Sequence, residues 1–200
     1  AYHGITEALT AFSPHHGDAL QPHMRALMPP DPYRGPYGAG ESNLAGKYAA
    51  DADRAIVELD EAGYGTACVM IDSSFCSNGV PDVPEDYLRL VTEKVRAAGG
   101  IIIADEVQFG FGRPGSHMWG FESYGAPADI VTLGKPVGNG IPLGVVVTTP
   151  EILDAFGRAR GLFSTFGGNP VACAAGSAVL DVIASEGLVE RAGKTGEHLR

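Results

Sequence analysis

Short apolar runs separated by amphipathic stretches restrict the fold of this chain more than any other feature of it. TACVMID (66–72), IIIADE (101–106), DIVTLG (129–134) and LGVVVTT (143–149) each read as a strand too apolar to face water on one side. Between the first two, PEDYLRLVTEKVRAAGG (84–100) reads as a helix with Pro84 in its first turn and a stripe of Tyr87, Leu88, Val91 and Val95. DADRAIVELDEAG (51–63) precedes them as another helix, with Gly63 past its end. EILDAFGRA (151–159) reads as a short helix, and Asn169 caps a long one that opens on Pro170 and ends before Gly187. Continuous strands alternating with such helices predict an α/β fold, a mainly parallel sheet flanked by helices. The section from Ser13 to Gly46 is too rich in Pro and Gly for a long regular element.

Two of the strands end in acid: Asp72 closes the first, and Asp105 and Glu106 follow the second. A buried carboxylate is costly unless paired. In a parallel sheet, however, ligands bind beyond the carboxyl ends of the strands, so these acids are placed at its mouth.

Composition excludes several function classes. A formal net charge of -10 provides no basic surface for nucleic acid or an anionic membrane. No apolar stretch approaches a membrane span, and no signal peptide is visible. Three cysteines without paired spacing give neither a disulfide framework nor a zinc ribbon, which fits a reducing cytoplasm. Cys68 and Cys173, in apolar and small-residue surroundings, read as buried small hydrophobes. His15, His16, Asp18 and His23 match no familiar metal spacing and read as solvated loop residues.

GFGRPG (110–115) matches a dinucleotide fingerprint literally, but Pro114 interrupts it and no helical stripe follows. It reads as a turn. Lys135, in contrast, follows a buried strand in a Gly-rich turn at the sheet mouth; from spacing alone its functional and structural readings stand even. FSTFGGNP (163–170) places two hydroxyls and two glycines before a helix N-terminus, where backbone amides suit a phosphate. An acid, a turn lysine and a phosphate cradle together fit pyridoxal phosphate: the lysine forms a Schiff base and the acid keeps the ring nitrogen protonated.

ADEVQFGFGRPG, PADIVTLGKPVGNGIPLG and STFGGNPVACAAG, in this order, resemble the signature of class III pyridoxal-phosphate aminotransferases of fold type I. PDPYRGPYG and LGKPVGNG resemble the branch of alanine–glyoxylate-type aminotransferases and of phospholyases acting on phosphorylated amino alcohols. The resemblance implies that Lys135 carries the cofactor and shuttles a proton, and that Asp105 pairs with the pyridinium. It places Val107 on one ring face and Tyr2 on the other, Gln108 on the ring hydroxyl, and His3 on the substrate side. Thr165 would bind the cofactor phosphate of the neighbouring subunit in a homodimer. Two departures stand out: Asp72 occupies the place of a family glutamate, and Ser77 that of a glutamate that gates substrate choice in some members.

The resemblance further implies that residues 1–200 are the central part of the cofactor-binding large domain, without the segment before AYHG and without the small domain after Arg200. The expected activity is transfer of an amino group from an amine or amino acid to a keto acid or aldehyde. Elimination of phosphate from a phosphorylated amino alcohol is the alternative on the same scaffold. A non-catalytic remnant with a dimerisation or regulatory role is the third reading.

Overall fold

A computed structural model describes residues 3–13 and 19–199. Tyr2, His15, His16 and Asp18, singled out above, lie outside the described residues. The chain forms two compact units, one running to Ile102 and including Tyr124–Ala126, the other comprising Ile103–Ser123 and the residues from Pro127 onward. The strands β1 (Cys68–Asp72), β2 (Ile101–Asp105), β3 (Ile130–Leu133) and β4 (Val145–Thr148) follow the order β1-β2-β3-β4. The sheet is mixed: β2 and β3 are parallel, and β4 returns antiparallel to β3.

In the first unit, α1 (Glu7–Thr10) is a single turn, and α2 (Leu44–Glu61) is longer than its apolar pattern suggested, starting within the section expected to be irregular. Its early turns count as helix because Tyr48 and Ala49 are buried there, and the Tyr48 hydroxyl donates to the carbonyls of Asp31 and Tyr37 at 2.7 and 2.9 Å. A tertiary contact therefore overrides the weak local signal. The helix α3 (Tyr87–Ala97) buries the expected stripe of Tyr87, Leu88, Val91 and Val95 against Tyr48, Ala49, Ala52 and Ile102. Val91 is fully buried, a stabilisation of about 1.5–3 kcal/mol for such a side chain. β1 begins at Cys68, not Thr66; the preceding Ala67 carbonyl accepts from the Ile101 amide at 3.0 Å.

The second unit packs Phe111, Leu133, Val137 and Ile183 into its own core. It contains a one-turn helix, α4 (Gly120–Ser123), and α5 (Pro150–Ala159). α6 (Pro170–Ser185) starts as expected: Asn169 Oδ1 accepts from the Ala172 amide at 2.9 Å, and Pro170 stands at the first position. The last element is α7 (Leu188–Leu199). Cys173 is exposed on α6, so its buried reading is corrected; a run of small residues leaves open which helix face packs. Cys68 is half-buried, and burial pushes its thiol up from the ordinary range, away from nucleophilic use. No single helix among the described residues is long and apolar enough to cross a membrane.

The literal fingerprint GFGRPG is a turn whose glycines serve packing. A Cβ on Gly115 would stand 2.6 Å from the Gly193 backbone on α7, and one on Gly193 would stand 2.8 Å from the Gly115 carbonyl oxygen. A methyl group at Gly193 must therefore push α7 off the turn, whereas Gly196 on the same helix faces open space. Gly193→Ala is expected to destabilise by roughly 1–3 kcal/mol, the usual range for overpacking. Gly196→Ala is expected to stabilise by about 1 kcal/mol through helix propensity. Urea midpoints of the two variants check this; a shift of the same sign in both would refute the packing account.

Candidate cofactor site

The site is built at the end of β2, within the second unit. Asp105 is the last residue of that strand and is 2% exposed. Its Oδ1 accepts from the Val107 amide at 3.0 Å, which fixes the rotation of the carboxylate.

Glu106 follows, completely buried. Its Oε2 accepts from the Gly120 amide at 2.7 Å and its Oε1 from the Phe121 amide at 2.9 Å. The Trp119 amide donates to Glu122 Oε2 at 3.0 Å. The amides of Trp119, just before α4, and of Gly120 and Phe121 in it are thus answered by carboxylates, which resolves what a buried strand end gains from a second acid. The Glu106 amide donates to the Thr132 carbonyl at 3.0 Å, and its carbonyl accepts from Gly110 at 3.1 Å. From the sequence, Glu106 was expected with Asp105 at the sheet mouth. A hint lay in WGFES, where Glu122 follows Trp119 by the three residues of a capping box.

Lys135 stands directly after β3. Its side chain is exposed, and its backbone lies in the left-handed region at φ 39. That conformation costs about 1–3 kcal/mol in a non-glycine residue and must be imposed from outside. The 3₁₀ turn Lys135–Gly138 imposes it: Val137 is buried, its amide donates to the Gly134 carbonyl at 3.1 Å, and Gly176 of α6 packs close to the Val137 carbonyl. A Cβ on Gly134 would stand 3.4 and 3.5 Å from the two Val107 methyl groups. The turn after Asp105 and the turn bearing Lys135 therefore converge. Gln108 lies in the first of them, half-buried.

Thr132 is the β3 partner of Asp105 in the parallel register. Its Oγ1 is buried and has no hydrogen-bond partner among the described residues. A buried carboxylate, an orphaned hydroxyl on the adjacent strand and a lysine in an imposed turn make a donor set that fits a polar aromatic ring bearing a carbonyl group.

Thr165 is exposed, as is the whole segment 161–170. Ser164 Oγ accepts from the Gly167 amide at 2.9 Å, and Asn169 spends its carbonyl oxygen on its own helix. One hydroxyl and one amide that the motif offered to a phosphate are thus used locally.

His3 and Asp72 belong to the first unit, and both line a cavity of about 310 Å³ there, with Ser77. Asp72 Oδ1 accepts from the Ser74 amide and hydroxyl at 3.2 and 2.9 Å, and its Oδ2 from the Cys76 amide at 2.7 Å. The carboxylate shapes its own loop, which includes Phe75 and Val80 at φ 50 and 51. His23 of the histidine group makes an edge-on ring contact with Tyr64, with centroids 6.0 Å apart.

The family model for class III aminotransferases matches residues 1–200. Alanine–glyoxylate aminotransferase 2-like from Drosophila melanogaster is 40% identical over 209 residues, covering 100% of this chain and 42% of that protein. A phospholyase from Arthrobacter, solved in complex with phosphoethanolamine, superposes with a TM-score of 0.90 at 42% identity, over 100% of this chain and 48% of that one. An omega transaminase from Pseudomonas jessenii, solved in complex with PMP, gives a TM-score of 0.86 at 28% identity, over 100% and 46%. The chain thus spans less than half the length of each relative.

Proposed function

We propose that this chain, which belongs to the class III aminotransferase family, is the central part of the large domain of a pyridoxal-phosphate enzyme that transfers amino groups. The observation that carries the reading is the convergence of Lys135 with the turn that follows buried Asp105, through the contact of Gly134 with Val107. Pyridoxal phosphate, when bound, supplies an electron sink for the substrate carbon that loses its proton.

The residues of the chain do the rest. Asp105, with Oδ1 oriented by the Val107 amide, holds the proton on the ring nitrogen. The methyl groups of Val107 cover one ring face and exclude water from it, and Gln108 hydrogen-bonds the ring hydroxyl. Lys135 would hold the cofactor through Nζ, and the same atom would move the proton at the substrate carbon. The left-handed backbone of Lys135 limits where that amine can go, which favours orientation.

Thr165 is proposed to complete the site of a second copy of the chain in a homodimer. The exposure of Leu162, Phe163 and Phe166 around it, at 83%, 89% and 81%, supports this reading: so much apolar surface calls for a cover. Amines or amino acids as donors, and keto acids or aldehydes as acceptors, are the proposed substrates.

The likeness to the Arthrobacter phospholyase supports a second reading, elimination of phosphate from a phosphorylated amino alcohol. One pair of assays separates the two. Phosphoethanolamine is supplied without any acceptor and free phosphate is measured; alanine is supplied with glyoxylate and pyruvate is measured. An aminotransferase is expected to give pyruvate and no phosphate. Phosphate release without an acceptor would transfer the assignment to the lyase.

A further inference from the structure

The geometry points to Thr132 as the positioning residue of Asp105, a role that rests on the cofactor reading above. Asp105 and Thr132 are register partners on parallel strands, so their side chains leave the sheet on the same face from strands about 4.8 Å apart. The Thr132 carbonyl is held by the Glu106 amide at 3.0 Å, which fixes its backbone, and a β-branched side chain has few rotamers to choose from. Its hydroxyl is nonetheless buried and unpartnered.

A hydroxyl in that state is costly, and a valine, its apolar isostere, would avoid the cost. The polar atom is explained if its partner is the carboxylate next to it once that carboxylate engages the ring nitrogen. Asp105 Oδ1 already takes the Val107 amide, and a carboxylate has about four acceptor positions. Donation from Thr132 then completes a three-point orientation: Val107 amide, Thr132 hydroxyl and ring N–H. Thr132 touches neither substrate nor reacting atoms, and acts through Asp105.

This arrangement trades apo stability for cofactor binding, and both can be read in the enzyme that carries this chain. Thr132→Val removes an orphaned hydroxyl at constant shape, so the apo protein is expected to melt at the wild-type temperature or higher. The same variant is expected to bind pyridoxal phosphate roughly 10- to 100-fold more weakly, the value of one lost hydrogen bond to a charged acceptor. It should also show a displaced absorption band for the bound cofactor. Thr132→Ser, which keeps the hydroxyl, restores both. In an Asp105→Asn background, Thr132→Val is expected to change affinity by less than about 2-fold, because the charged acceptor is gone.

Unchanged affinity and absorption in Thr132→Val, or the same loss in both backgrounds, would overturn the role of Thr132 while leaving the cofactor reading intact. A wild-type enzyme that forms no phosphopyridoxyl adduct at Lys135 after borohydride would remove the cofactor reading, and this role with it.

Discussion

Lys135→Ala is expected to carry no phosphopyridoxyl mass after incubation with pyridoxal phosphate and borohydride, whereas the wild-type enzyme gains one such group on the peptide that contains Lys135. Turnover should fall by at least the roughly 10²- to 10⁴-fold that a positioned proton-transfer group contributes, since the proposed function has the lysine both hold the cofactor and move the proton. The fold should be spared. The side chain is exposed, and alanine has the same Cβ, so the left-handed backbone at φ 39 becomes no more strained than it is. Thermal unfolding is therefore expected to stay within about 0.5 kcal/mol of wild type. Peptide mapping decides the matter: an adduct on another lysine, or wild-type turnover in the variant, sinks the assignment. Added amines offer a second check, because a small primary amine that fits the space of the side chain should restore part of the proton transfer.

The second large effect concerns stability and falls on the neighbouring acid. Glu106→Ala deletes a fully buried carboxylate and leaves the amides of Gly120 and Phe121 without these acceptors. Hydrogen bonds to a charged group contribute about 1.5–3 kcal/mol each, so losing both should cost about 3–6 kcal/mol. Against a total of about 5–15 kcal/mol for a typical protein, this is enough to make expression poor. Glu106→Gln keeps the shape but presents an NH₂ group to one of the two donors. One bond is lost and two donors face each other, so the loss should be about half as large and not zero. Urea midpoints of the three proteins test this ordering. A glutamine variant as stable as wild type would mean that charge and acceptor count do not matter at Glu106.

Those two neighbours also mark how far the sequence could be read. Strand–helix alternation, the stripe of α3 and the Asn169–Pro170 helix start were legible because each depends on residues within a few positions of one another. The positions of Asp105 at a strand end and of Lys135 in the next turn were legible for the same reason, and motif order then pointed to the family. The early turns of α2 were not, since Tyr48 is held there by carbonyls of residues 31 and 37. The exposure of Cys173 was not either, because a helix of small residues carries no pattern to say which face packs.

What local order dictated, then, is the sequence of elements, the family and the residues proposed to bear the chemistry. Only the folded chain decided what those residues meet. Glu106 reaches amides 14 and 15 positions away, Gly134 admits Val107, Gly115 and Gly193 bring a turn and a helix into backbone contact, and Thr132 is left with an unpartnered hydroxyl beside Asp105. The reason is physical. Periodicity and capping are short-range properties of a chain, whereas pairing and burial of a polar group depend on which distant segment closes over it.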